Sequence, residues 1–150
     1  MDYRGFFEDA VDTLRQEKRY RVFADLERIA GRFPRAIYRD ASDNQRETTI
    51  WCSNDYLGMG QHPVTIAAMQ DTAAKLGVGA GGTRNISGTN RPLVELERSL
   101  ADLHRKEAAL VFTSGFVSNE AAISTLARLL PDCVIFSDQL NHASMIQGVR

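Results

Sequence analysis

A dense group of polar side chains follows a short apolar run near the end of the chain. The run at 134–136 predicts a buried strand, and the polar segment 137–144 comes directly after it. In open α/β sheets, ligands gather beyond the carboxyl ends of the strands. His142 in this segment could therefore transfer a proton or stack on a planar cofactor. Alternatively, Asp138 and Asn141 only cap the next helix, and His142 satisfies a backbone carbonyl.

A second apolar run, at 110–112, also predicts a buried strand that leads into a helix. Gly115 stands at the expected start of this helix, where backbone N–H groups without intrahelical partners can bind an anion. Its missing side chain would let a phosphate approach the backbone, and Phe116 could offer an aromatic surface beside a ring. An ordinary N-cap would look the same in the sequence.

The segment 77–88 contains five of the eleven glycines and predicts a loop that turns sharply or approaches a ligand. A nucleotide-binding loop is not indicated, because the glycines follow a helix and no Gly-Lys-Ser/Thr sequence occurs. We expect the loop to place Thr83, Arg84 and Asn85 over a neighbouring site, where they could gate a substrate that carries a carboxylate.

Arg21 belongs to a cationic cluster near the N-terminus, together with Arg15, Lys18 and Arg19. Such a cluster is usually a solvated helix face. Arginine is also the side chain best suited to a bidentate grip on a carboxylate, so Arg21 is a candidate substrate anchor.

The predicted elements indicate an α/β fold with parallel strands flanked by helices. We expect an amphipathic helix from Phe6 to about Phe33, either continuous or broken near residues 19–21, then a turn at 40–47 and a strand that ends near Ser53. Later helices are expected from Pro63 to the cap Gly77, after the caps at 89–90, over 115–130 and from residue 141.

Composition and charge exclude several classes of protein. The net charge is −1 without a basic stripe, so we expect no nucleic-acid partner. No apolar run is long enough to cross a bilayer, and we expect a cytoplasmic protein without a membrane partner. Cys52 and Cys133 lack metal-ligand spacing, so we expect no metal site and two buried thiols.

Two long motifs resemble those of the α-oxoamine synthases, a family of fold-type I enzymes that depend on pyridoxal 5'-phosphate. The segment 51–59, Trp-Cys-Ser-Asn-Asp-Tyr-Leu-Gly-Met, is similar to an early signature of the family. The segment 81–89, Gly-Gly-Thr-Arg-Asn-Ile-Ser-Gly-Thr, resembles the glycine loop of those members that use succinyl-CoA. The resemblance implies an N-terminal helical segment at 1–47 and, at 48–150, the truncated first part of the large cofactor domain.

The resemblance also implies roles for individual residues. His142 would stack on the pyridine ring and take part in catalysis, and Gly115 and Phe116 would bind the cofactor near its phosphate. The substrate would contact residues from four segments, namely Arg21, Asn54, Thr83, Asn85 and Ser137. Asn54 and Tyr56 are expected to come from the partner subunit, since family members are homodimers with shared active sites.

The implied reaction joins glycine to succinyl-CoA and gives 5-aminolevulinate, CoA and carbon dioxide, at the start of tetrapyrrole synthesis. The Schiff-base lysine of the family would lie beyond Arg150, so we expect this chain to be inactive alone. Alternatives are glycine acetyltransferase, the related enzyme of biotin synthesis, or a non-catalytic truncated module. Thr83 with the next two residues favours the succinyl-CoA user, because a diacid chain needs polar groups at its end.

Overall fold

The computed structural model describes residues 2–150, which divide into two compact units. One unit ends at Val78 and the other begins at Gly79. The first unit contains α1 (Tyr3–Gln16), β1 (Asp25–Arg28), β2 (Arg35–Arg39), β3 (Gln45–Thr49) and α2 (Pro63–Leu76). The second contains α3 (Arg91–Leu103), α4 (Gly115–Leu129) and α5 (Ala143–Gly148).

Helix α1 is much shorter than the sequence predicts. It begins after the N-cap Asp2, whose side chain accepts from Gly5 N, and it ends at Gln16. Lys18 then has φ +56°, in the left-handed region, so the backbone leaves the helical path there. The prediction of a helix as far as Phe33 is therefore wrong after Gln16.

The residues predicted to continue that helix instead enter a three-stranded antiparallel sheet. Its order is β1-β2-β3, with Leu26 opposite Tyr38 and Ala36 opposite Thr48. The carboxylate of Asp40 closes the turn between β2 and β3, because it accepts from the backbone N–H groups of Ser42 and Asn44. The expected boundary after residue 47 falls inside β3, and the division at that point stays a prediction.

The prediction of helix α2 is confirmed at both ends. Pro63 is the first residue, where a missing N–H costs nothing, and His62 is the N-cap. Gly77 follows the last turn with φ +76°, a conformation that suits glycine.

In the second unit, the helices are confirmed and the strands are not. Asn90 caps α3 by accepting from Leu93 N, and Ser114 caps α4 by accepting from Val117 N. The segments 110–112 and 134–136 are not strands in the structure, so both strand predictions are wrong. A parallel strand needs hydrogen-bonding neighbours, and the residues described here place no strand beside either segment.

Burial is slight in both units. Ala36 and Ser144 have no exposed surface, whereas Trp51 and Phe136 are almost fully exposed. Cys52 and Cys133 are also exposed, so the expectation of two buried thiols is wrong. Across the described part of the chain, no helix has the length and apolar character needed to span a bilayer.

Candidate functional site

The start of α4 exposes backbone N–H groups beside an open glycine. Ser114 Oγ accepts from Val117 N at 3.2 Å, which leaves the N–H groups of Gly115 and Phe116 without an intrahelical acceptor. A Cβ built on Gly115 would meet no atom within 4 Å. This end of α4 is therefore accessible to an anion.

The structure brings Phe116 and His142 together. Their ring centroids are 6.2 Å apart with an interplanar angle of 72°, an edge-to-face arrangement. His142 is the N-cap of α5, and its Nδ1 accepts from the backbone N–H of Ser144 at 3.2 Å. Two residues predicted to bind the same cofactor are thus neighbours, although 26 positions of sequence separate them.

Close packing between α4 and α5 fixes this arrangement. A Cβ on Gly148 would lie 3.0 Å from Ile123 Cβ and 3.2 Å from the carbonyl oxygen of Asn119. Asn119 Nδ2 donates to Ser144 Oγ at 3.0 Å. Because α5 has only six residues, these contacts rather than helix propensity keep it in place.

Ser137 lies in the turn that precedes α5. Asn141 Nδ2 donates to Ser137 Oγ at 3.0 Å, and Asp138 Oδ1 accepts from Leu140 N at 2.7 Å. Ser137 is exposed. The sequence alternative in which Asp138 and Asn141 cap the next helix is therefore wrong, because His142 is the N-cap of α5 and its side chain accepts from Ser144 N.

The loop that carries Thr83 and Asn85 closes on one carbonyl oxygen. Thr83 O accepts from the backbone N–H groups of Ile86, Ser87 and Gly88 at 2.8–3.2 Å, which produces one π-helical turn over Arg84–Gly88. Gly88 is buried, and a Cβ there would collide with Gly82 O. Thr83 and Asn85 remain exposed on this loop.

Arg84, between them, is held by other residues of the protein. Its guanidinium makes a bidentate contact with Glu97 at 2.6 and 2.9 Å, and Nη1 also donates to Val111 O at 3.1 Å. Glu97 Oε1 accepts from Val111 N at 2.8 Å. We call Arg84, Glu97 and Val111 the loop brace, because they join the glycine loop, α3 and the segment before α4.

The pKa of the Glu97 carboxyl is lowered from 4.5 to about 2. The hydrogen bonds from Arg84 are the main cause, and the bond from Val111 N adds to them. The pKa of Arg84 is raised for the complementary reason. Glu97 and Arg84 are therefore both charged at neutral pH.

Sequence reasoning missed Glu97, Asn119 and Ser144. Glu97 stands four residues after Leu93 and three before Leu100, so it lies on the apolar stripe of α3. A carboxylate on such a stripe needs a partner, and that signal was available. Asn119 gave no comparable signal, since its partner is 25 residues away.

Arg21 and Asn54 belong to the first unit. Both are exposed. Asn54 lies in a turn where Ser53 Oγ accepts from Asp55 N at 3.0 Å, and Asp55 Oδ2 accepts from Gly60 N at 3.1 Å. No group of three or more His, Cys, Asp or Glu side chains that could hold a metal ion occurs within residues 2–150.

Comparison with known proteins adds a family and a set of relatives. The chain is 63% identical over all 150 residues to the 5-aminolevulinate synthase of Bradyrhizobium diazoefficiens, of which it covers 36%. It is 59% identical over its whole length to the 5-aminolevulinate synthase of Rhizobium meliloti, of which it covers 37%. It is 52% identical over 149 residues, 99% of its length, to the mitochondrial 5-aminolevulinate synthase of Yarrowia lipolytica, of which it covers 26%.

The chain thus spans about a third of the length of its bacterial relatives. The family model for aminotransferase class I and II matches residues 46–150. That match includes α2 to α5, the glycine loop and the paired rings of Phe116 and His142. Since the match extends over well more than half of the sequence, the chain belongs to the aminotransferase class I and II family.

Proposed function

We propose that the chain is part of a pyridoxal-phosphate-dependent 5-aminolevulinate synthase, which condenses glycine with succinyl-CoA. The observation that carries this proposal is the identity of 51–63% between the whole chain and several bacterial proteins of that name. The products would be 5-aminolevulinate, CoA and carbon dioxide. Glycine acetyltransferase and a non-catalytic module are not favoured by these relatives.

The start of α4 fits the phosphate of pyridoxal phosphate. Its free N–H groups and the open face at Gly115 suit an anion, since helix N-termini attract negative charge. The edge-to-face rings of Phe116 and His142 provide aromatic surfaces beside the start of α4, where the pyridine ring of the cofactor could lie. When bound, the cofactor supplies an electron sink for the amino acid. The residues of this chain would hold and orient it.

The substrate would be recognised by polar side chains that are exposed in the structure. Thr83 and Asn85 are exposed on a loop whose shape is fixed by the Thr83 carbonyl and the loop brace. The resemblance to the α-oxoamine synthases implies that Arg21 contacts the succinyl carboxylate, and a guanidinium suits a bidentate grip on that group. Ser137 and Asn54 complete the proposed substrate contacts.

We further propose a homodimer with shared active sites, in which Asn54 and Tyr56 serve the neighbouring subunit, and a cytoplasmic location. The lysines of the chain, Lys18, Lys75 and Lys106, lie in no motif that matches the Schiff-base position of the family. We expect that lysine in another part of the full-length protein.

The test uses the full-length protein that contains this chain, purified with pyridoxal phosphate. Glycine-dependent release of CoA should be faster from succinyl-CoA than from acetyl-CoA. Equal rates, or a preference for acetyl-CoA, would contradict the proposal.

Arg21→Ala should raise the KM for succinyl-CoA at least about tenfold, the usual cost of a charge-assisted contact, and leave the KM for glycine near its original value. Arg4→Ala is the matched control, because within residues 2–150 Arg4 pairs only with Glu8, on the exposed surface of α1. An unchanged KM for succinyl-CoA in Arg21→Ala would remove Arg21 from the site.

A further inference from the structure

The hydroxyl of Ser144 is the centre of a hydrogen-bond chain between α4 and α5. Ser144 is completely buried. Its Oγ lies 3.0 Å from Asn119 Nδ2 and 2.7 Å from His142 Nδ1. The backbone N–H of Ser144 points at the same Nδ1, at 3.2 Å. One nitrogen of the imidazole therefore meets two groups of the same residue.

The direction of every bond in this chain follows from the backbone N–H. A backbone N–H can only donate, so Nδ1 of His142 must accept and cannot carry a proton. The Ser144 hydroxyl must then donate to Nδ1 as well. Its lone pairs are left to accept from the amide of Asn119, which is the orientation observed. The three side chains thus have one consistent polarity.

We infer that Asn119 and Ser144 are positioning residues that hold His142 in the tautomer with its proton on Nε2. The inference rests on the proposed function, in which His142 lies against the pyridine ring. With Nδ1 occupied and Nε2 protonated, the imidazole offers a donor and no free basic nitrogen. Of the two roles open from the sequence, this tautomer is compatible with stacking on the cofactor, and it restricts proton transfer to donation from Nε2.

Packing around the hydrogen-bonded side chains of Asn119, Ser144 and His142 holds them in place. The Phe116 ring lies edge-to-face with the His142 ring and restrains it from one direction, and the close approach of Gly148 to α4 keeps Ser144 buried. A rotation of the imidazole would break both bonds to Nδ1 and leave the Ser144 hydroxyl without its acceptor. Buried groups without a partner are costly, so the observed orientation is favoured over its alternatives.

The first test observes the tautomer directly and needs neither cofactor nor substrate. Full-length protein is labelled with ¹⁵N-histidine, and its imidazole nitrogens are recorded by NMR, with His142→Gln to assign the signals. We expect an unprotonated Nδ1 and a protonated Nε2 for His142. A proton on Nδ1 would overturn the inference, whatever reaction the enzyme catalyses.

The second test reverses the direction of the hydrogen bonds that link Asn119, Ser144 and His142. In Asn119→Asp the carboxylate can only accept, so the Ser144 hydroxyl turns towards it and no longer donates to Nδ1. The population with a proton on Nδ1 should rise, and kcat should fall about tenfold, as expected for one lost hydrogen bond. The KM for succinyl-CoA should stay close to that of the wild type.

Asn90→Asp is the matched control, since the new carboxylate can still cap α3 and lies outside the proposed site. Ser144→Ala provides a second variant in case Asn119→Asp folds poorly. It removes the hydroxyl and leaves the backbone N–H as the remaining donor to Nδ1, so the population with a proton on Nδ1 should rise and kcat should fall. If the NMR signals and kcat of Asn119→Asp match those of Asn90→Asp, Asn119 is not a positioning residue. A wild type without glycine-dependent CoA release would defeat the proposed function alone, because the NMR result stands independently.

Discussion

Helix α3 takes part in two arginine–glutamate pairs with the same closest distance. Arg84 Nη1 lies 2.6 Å from Glu97 Oε1, and Arg91 Nε lies 2.6 Å from Glu95 Oε1. The Glu97 side chain is 15% exposed, whereas the Glu95 side chain is 56% exposed. Only the first pair also bonds a backbone segment, through both polar groups of Val111.

The comparison shows that distance alone does not measure what an ion pair does. The Arg91–Glu95 pair joins two positions of one helix turn, and solvent and salt weaken it. The loop brace joins three segments that are distant in sequence and satisfies a backbone N–H and a backbone carbonyl. Removal of one partner in the brace therefore affects the glycine loop, α3 and the approach to α4 together.

The largest expected effect comes from the loop that delivers Arg84 to the brace. Gly88→Ala would place a Cβ against Gly82 O and within 2.9 Å of the carbonyl of Thr83. We expect the free energy of unfolding of the full-length protein to fall by about 3 kcal/mol, because both obstacles are backbone atoms. Urea unfolding measures the change.

Gly115→Ala is the control for this prediction, since its new Cβ meets nothing within 4 Å. Both variants are compared without cofactor, and the control should then leave the midpoint of urea unfolding unchanged. Equal midpoints for Gly88→Ala and Gly115→Ala would mean that the loop tolerates a side chain at residue 88.

The next effect compares the two glutamates directly. Glu97→Ala leaves Arg84 without its carboxylate and Val111 N without its acceptor, whereas Glu95→Ala removes only a surface pair. Glu97→Ala should lower the midpoint of thermal unfolding several times more than Glu95→Ala. Amide hydrogen exchange should also accelerate at Val111 in the first variant alone. Equal shifts in the two variants would mean that the loop brace stabilises the protein no more than the surface pair does.

Acid should weaken the brace selectively. The pKa of Glu97 is about 2 in the folded protein and 4.5 ordinarily, so its contribution is complete above pH 4.5 and is lost as the pH falls towards about 2. The stability difference between wild type and Glu97→Gln should therefore shrink across this window. Denaturant unfolding at a series of pH values measures it, and a constant difference would show that Glu97 does not titrate with the brace.

The smallest effect belongs to the surface pair. Arg91→Ala should change the free energy of unfolding by about 0.3 kcal/mol, the usual value for a pair four residues apart on a helix. The change should disappear in high salt. A loss as large as that of Glu97→Ala would show that Arg91 has contacts beyond Glu95.

The ends of the later helices could be predicted because their signals are local. His62 with Pro63, Asn90 and Ser114 each mark a helix start through neighbours within three residues. The mixture of helices and strands agrees with the predicted α/β class, and the family match supports it. The helix predicted as far as Phe33 was wrong across β1, because the four residues of that strand are all exposed and so give no alternation of apolar and polar positions.

The sequence by itself determined the family motifs, the helix caps and the candidate residues at the two segments that precede α4 and α5. Only the tertiary structure decided that Arg84 belongs to the brace. It also brought Asn119 and Ser144 into one hydrogen-bonded group with His142. The physical reason is the same for both: a hydrogen bond between residues 13 or 25 positions apart depends on how helices pack, and no local pattern of residue types encodes that geometry.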